Sequence, residues 1–459
     1  MKTHENYAAF LQNKRHLAGN FGFDPIFMPD KLFSFQKNLV DWSVKKGRAA
    51  IFADCGLGKT FIQLTWGQNI IEKTNSRVLL LTPLAVGAQT VIEAQKLGVD
   101  ACRSHDGKFP ENAKLIIANY ERLHYFSPSD FVGVICDESS ILKNFDGKTK
   151  TAVTDFMRKM PYRLLCTATA APNDFIELGT SSEALGDLGF LDMIGKFFKK
   201  NDTTMSRKDE HRSGLYRFRG HAEKDFWRWI CSWARAVRRP SDIGGDDTGY
   251  DLPSLITNQH TVKATAPLDG FLFAMPAHGL AEQRQERSRT TKERCEKAAE
   301  IANSHNEACV SWCYLNKESD LLTKLIDNAV EVSGHDEDEK KEEIFTAFAS
   351  GEIKKLVTKP TIAGMGLNWQ HCHYQTFFPS HSFEQMYQSV RRCWRFGQKN
   401  AVTVDMITSE GESNIIANLK RKADAADQMF SKLVSLMNNE LKIEQEERNT
   451  QQEILPSWL

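Results

Sequence analysis

From Ala53 to Thr60 the chain reads Ala-Asp-Cys-Gly-Leu-Gly-Lys-Thr. Gly56, Leu57 and Gly58 form a loop small enough for backbone N–H groups to face an anion. The helical pattern behind it, at 61–71, adds the positive end of its dipole. Lys59 is placed to neutralise the β- and γ-phosphates of a nucleotide, and Thr60 to put a hydroxyl on Mg²⁺. A strict phosphate-loop pattern wants glycine at 53, where this chain has Ala53.

A second constellation lies further along the chain. The apolar run 132–136 leads into Asp137-Glu138. At the end of a strand, Asp137 would hold Mg²⁺, partly through water, and Glu138 would orient and deprotonate an attacking water. Loop and acidic pair together point to hydrolysis of a nucleoside triphosphate. His371-Cys372-His373 has metal-ligand residue types, but no second cluster accompanies it, and it reads as a strand end.

The elements that must position these residues alternate. Helical spacing runs over 32–45, and short apolar strands occupy 49–53, 78–81, 115–118, 132–136 and 163–167. A second alternation has strands at 309–315, 355–358, 374–378 and 401–407 and helices at 340–348 and 384–394. Strands alternating with helices argue parallel sheets. Residues 1–30 carry Phe10, Phe21, Phe23 and Phe27 and read as a short helix and an arm that packs on the adjoining domain. The charged run 283–301 reads as an exposed helix. These patterns divide the chain into an arm (1–30), a first domain (31–253), a second domain (254–423) and a helical tail (424–459).

The 459 residues are 41% hydrophobic and 26% charged, the profile of a chain that buries real cores. Lys+Arg and Asp+Glu are both 59, so a nucleic-acid surface must be local rather than global. The stretch 196–240 is such a place, with 13 basic against 5 acidic residues and with Trp227, Trp229 and Trp233. It reads either as an added grip on nucleic acid, with Arg238 and Arg239 among its contacts, or as an amphipathic packing module. The N-terminus lacks the apolar run of a signal peptide, and no apolar stretch is long enough to span a bilayer. The ten cysteines have no framework spacing and are expected as free thiols in a reducing cytosol.

In order, the motifs resemble those of superfamily 2 helicases, the DEAD/DEAH-like group, closest to the Swi/Snf-like branch and to compact bacteriophage-encoded helicases. Asp54–Thr60 matches the first motif with Cys55 in place of Glu. Asp137-Glu138-Ser139-Ser140-Ile141-Leu142-Lys143-Asn144 matches the second, including its Lys-Asn ending. Thr167-Ala168-Thr169-Ala170-Ala171-Pro172-Asn173 resembles the third, and Ile362-Ala363-Gly364-Met365-Gly366-Leu367-Asn368 the fifth. Gln388, Arg392, Arg395, Gly397 and Gln398 fill every fixed position of the sixth. The segment Ser380-His381-Ser382 departs from the Trp-Asn-Pro of the remodellers, so that DNA contact does not carry over.

The resemblance, which covers roughly 31–420, implies an α/β chain of two tandem RecA-like domains, mostly parallel sheets flanked by helices, with ATP in a cleft between them. It implies that Gln36 reads adenine and that Gly366 lets the backbone approach the nucleotide. Thr167 and Thr169 would link nucleotide and DNA sites, and Arg392 and Arg395 would touch the γ-phosphate as arginine fingers. Thr82 and Asn119 in the first domain, and Thr358 and Thr361 in the second, stand where the family contacts the nucleic-acid backbone. The expected activity is that of an ATP- and Mg-dependent DNA helicase or translocase acting as a monomer in replication, recombination or repair of a phage genome, in the host bacterial cytoplasm. An RNA helicase and an ATP-binding switch that recruits a partner are the alternatives. The Lys143-Asn144 and Gly397-Gln398 endings favour the DNA branch, and the presence of Glu138 and Arg395 favours a motor.

Overall fold

The computed structural model describes residues 19–143, 147–171, 174–200, 216–263, 280–364, 366–380 and 382–452. Asn144, Pro172, Asn173, Met365 and His381, residues 1–18 of the arm, and the end of the tail from 453 onward lie outside them. So does 201–215 of the basic stretch. The chain divides into two compact units. One holds residues 1–82, 90–247 and 426–459, the other 83–89 and 248–425.

The first unit is built on β1 (Arg48–Ala53), β2 (Val78–Thr82), β3 (Ala101–Arg103), β4 (Leu115–Asn119), β5 (Gly133–Asp137) and β6 (Tyr162–Thr167). A short antiparallel pair, β7 (Phe198–Lys200) and β8 (Tyr216–Phe218), stands apart from the main sheet, and β9 (Ala234–Val237) returns to it. The seven-stranded order is β3-β4-β2-β5-β6-β1-β9, parallel throughout. Every residue of β2, β4 and β5 is buried, as expected of strands covered on both faces by helices. The covering helices include α1 (Ser34–Lys46) and α2 (Lys59–Thr74).

The described part of the arm, 19–30, is held by hydrogen bonds, while Phe21 stays half exposed. Phe21, Gly22 and Phe23 donate backbone N–H bonds to the last carbonyls of α1, which would otherwise be orphaned. Asn69 of α2 accepts from the N–H groups of Ile26 and Phe27 and donates to the Phe27 carbonyl.

Trp227, Trp229 and Trp233 lie on α3 (Ala222–Trp233) and are all buried, so the packing reading holds for these rings. They join Phe175, Phe197, Phe198, Phe218 and Phe226 in one aromatic cluster. The tail helix α4 (Ser413–Gln452) lays Phe430, Leu433 and Val434 against the same core.

The second unit carries β10 (Leu255–Val262), β11 (Cys309–Trp312), β12 (Ala329–Glu331), β13 (Lys355–Thr358), β14 (Tyr374–Phe377) and β15 (Val402–Ser409). Their order is β10-β15-β14-β11-β13-β12, again parallel. The charged run expected as one exposed helix is instead two helices, Leu280–Arg289 and Thr291–Asn303, and only one face is exposed: Lys292, Glu296 and Glu300 face outward while Arg294, Cys295 and Ala298 are buried. Cys295, Ala298, Ala299 and Ala302 give it a small-residue face that packs closely. Its buried charges are paired: Arg294 with Glu318 at 2.8 Å, Arg287 with Glu412 at 2.8 Å, and Arg289 with Glu286 at 2.6 Å. Alanines count little in an apolar tally yet allow the close approach. The helix expected at 384–394 stops at Val390, and Arg391–Trp394 turn away from it.

Candidate functional site

β1 delivers the loop. Ala53 is the last residue of the strand, in register with Val237, and Asp54 donates its N–H to the Val237 carbonyl at 2.9 Å. Position 53 is therefore ordinary extended backbone, which explains why alanine serves there. Within the loop, positive φ is confined to Gly56 (+88°) and Gly58 (+73°), where the chain folds back to start α2. A side chain at Gly58 is disfavoured on two counts: a Cβ would lie 2.3 Å from Gln36 Nε2, displacing that amide from the Leu57 carbonyl, and an L residue is strained at that φ. Gln36 itself is 3% exposed. Its amide donates to the Leu57 carbonyl at 3.0 Å and accepts from Phe33 N–H at 3.0 Å, so it braces the loop from behind. Lys59 Nζ curls over the loop to donate to the Ala53 carbonyl at 2.9 Å and the Asp54 carbonyl at 3.4 Å. Thr60 sits half-buried in the first turn of α2.

β5 delivers the acids. Asp137 is its last residue and Glu138 the next, at 6% and 4% exposure. Burial, then the charge of Glu138, pushes the Asp137 carboxyl up from 3.8 to about 6, against the pull of Gln63 and Lys59. Gln63 Nε2 donates to Asp137 Oδ1 at 2.6 Å, and Tyr120 Oη donates to the Asp137 carbonyl at 2.6 Å. Glu138 takes φ +51°, an uncommon conformation for a long side chain. Thr167, the last residue of β6, donates its hydroxyl to Glu138 Oε2 at 3.3 Å and accepts from the Thr169 N–H at 3.1 Å. β6 lies between β1 and β5, so the loop, Thr167 and the acids line up along one carboxyl edge. Burial holds the Cys136 thiol at about 12 and pushes Cys166 up as well, so neither supplies a thiolate nucleophile.

The same edge carries polar atoms without hydrogen-bond partners. Thr82 Oγ1, Asn119 Oδ1, Ser139 Oγ and Ser140 Oγ are buried and unpaired among the described residues, at or just past the ends of β2, β4 and β5. Such atoms are rare and call for a reason, and the carboxyl edge of an open parallel sheet is where ligands bind. Two adjacent buried carboxylates, with no basic side chain among the described residues in ion-pair contact, also suit a divalent cation. Among the described residues no group of three His, Cys, Asp or Glu could hold a metal. In the His371–His373 run Cys372 is buried with its thiol on the Ala308 and Tyr374 carbonyls, and His373 pairs with Glu307 at 2.8 Å.

The second unit brings another set together. Gly366 has φ +74°. The Leu367 carbonyl beside it accepts from Arg392 Nη1 at 3.2 Å and Arg395 Nη1 at 2.9 Å. Arg392 Nε also donates to the Gln388 carbonyl, and Gln398 Nε2 donates to the carbonyls of Cys372 and Cys393. The fifth and sixth runs are thus one interlocked structure. Thr358 is buried with its hydroxyl on the Val332 carbonyl, whereas Thr361 is exposed. Arg238 is engaged by Asp427 and Ser431 of the tail helix, and Arg239 is exposed beside Asp242.

Sequence reasoning missed Gln63. It stands one turn after Lys59, on the same helix face, and that i to i+4 spacing is the signal that could have found it. No protein-family model matches the chain, and no curated protein matches it either. No helix among the described residues is long and apolar enough to cross a membrane.

Proposed function

We propose that the chain is an ATP-dependent DNA helicase or translocase of the superfamily 2, Swi/Snf-like kind, with its two parallel-sheet units as RecA-like domains and ATP held between them. The observation that carries the reading is the alignment of Lys59, Thr167 and the buried Asp137-Glu138 pair along one carboxyl edge. Gly56, Leu57 and Gly58 would cradle the phosphates with their N–H groups. Lys59 would exchange its loop carbonyls for phosphate oxygens. Thr60 and Asp137 would hold Mg²⁺, which when bound neutralises phosphate charge during transfer. Glu138 would hold and deprotonate the attacking water, with Thr167 reporting its state to Thr169. Arg392 and Arg395 are the candidate γ-phosphate contacts of the second domain. Arginines there stabilise charge spreading over the transferred group.

The test is ATP turnover with two variants. Lys59→Ala should abolish turnover and weaken nucleotide binding. Glu138→Gln should bind Mg-ATP with near-parental affinity yet hydrolyse it at least about a hundredfold more slowly, the scale of a lost general base. Near-normal hydrolysis by Lys59→Ala would mean the site is misassigned.

A further inference from the structure

The basic stretch has an outward face that the buried tryptophans do not use. In 196–200 and 216–219 stand Lys196, Lys199, Lys200, Arg217 and Arg219, with no acidic residue in either segment. In a chain of zero net charge that is a local excess. β7 and β8 pair so that Phe198 faces Phe218 and Lys199 faces Arg217. The phenylalanines turn inward, their rings stacked at 4.7 Å and each 5.3 Å from Phe226. Lys199 and Arg217 therefore point outward, and both are exposed. Two like charges directly opposed across a strand pair are destabilising. No ion pair to Lys199, Lys200 or Arg217 exists among the described residues, unlike Arg238, which the tail helix engages. Arg219 ties the far end down by donating to the Phe198 carbonyl at 2.6 Å. The result is a strand pair anchored by aromatic rings, with exposed Lys199 and Arg217 on its outward face and exposed Lys200 at its end, none of them in an ion pair among the described residues.

We propose that this outward hairpin face docks the phosphate backbone of a nucleic acid, adding a sequence-independent grip to the first unit. The inference rests on the motor reading above. Charge complementarity selects the partner: closely spaced cations on a fixed strand pair match a polyanion of regular spacing, and nothing on the face reads bases.

The experiment measures equilibrium binding of full-length protein to a duplex and a single-stranded oligonucleotide across a salt series. It compares the parent, the triple variant Lys199→Ala/Lys200→Ala/Arg217→Ala, and the conservative Lys199→Arg/Lys200→Arg. The melting temperature confirms that each is folded. The triple variant should bind roughly tenfold or more weakly at moderate salt. Its log–log salt slope on duplex should fall by about two to three, since each lost phosphate contact removes about 0.9. The arginine variant should keep the parental slope. An unchanged slope in the triple variant, with the parent binding DNA well, overturns the docking face and leaves the motor reading standing. A parent that hydrolyses ATP but binds no nucleic acid overturns both. Binding of polyglutamate in place of DNA through the same residues also overturns the proposal, by making the partner an acidic protein.

Discussion

Asp137 shows what a single residue can reveal about this site. Its carboxyl is held near 6 by burial and by Glu138, above its ordinary 3.8. Between those values the folded chain binds more protons than the unfolded one, so stability falls as pH rises through that window. Metal-free protein should therefore melt at a lower temperature at pH 7 than at pH 5 by this contribution. Mg²⁺ should offset the loss above pH 6, where the ionised carboxylates can take it. Asp137→Asn should remove the Mg²⁺ response, which thermal melting in the presence and absence of the ion would detect. A parent melting temperature indifferent to Mg²⁺ with nucleotide at pH 7 would count against the metal site. Glu138 carries a different mark, a strained φ of +51°. Strain of this kind costs on the order of 1–3 kcal/mol and persists where the surroundings fix it, here the end of β5 and the Thr167 hydroxyl.

Among the elements, the strand-to-helix junction of β1 and α2 decides the most. Gly58 and Gly98 have nearly the same φ, +73° and +72°, but a Cβ at 58 meets Gln36 while one at 98 meets nothing. Gly98→Ala should cost only the backbone penalty, about 1–2 kcal/mol, and leave nucleotide affinity alone. Gly58→Ala should cost more and weaken ATP binding sharply, which melting and nucleotide titration together would show. Much of this level is legible in the sequence. Strands 78–81, 115–118 and 163–167 stand out as apolar runs within one residue of their ends, because strands buried on both faces leave an uninterrupted signal. The placement of the Gly loop and of the acidic pair at strand ends is legible because each follows an apolar run. What stays hidden is set by tertiary packing. The 283–301 run looks solvated because its buried charges find partners far along the chain, at Glu318 and Glu412. The short β9 gives little apolar signal, with Arg235 buried inside it over Trp42. Gln63 is invisible until a carboxylate stands opposite it.

At the scale of the whole molecule, each parallel-sheet unit carries one of the candidate sets: the Gly loop and the acids at the carboxyl edge of one sheet, and the Leu367 carbonyl with Arg392 and Arg395 in the other unit. A switch protein needs only the first set. A motor needs both, and needs nucleic acid to couple them. The most direct measurement is ATP hydrolysis by the full chain, alone and with duplex DNA, single-stranded DNA or RNA, for the parent and for Arg395→Ala. The account predicts slow turnover alone and strong stimulation by DNA in the parent. In Arg395→Ala nucleotide affinity should be largely kept while stimulated turnover drops by roughly 10³ or more, as for other arginine fingers. Hydrolysis that no nucleic acid stimulates, or full stimulation without Arg395, would contradict it.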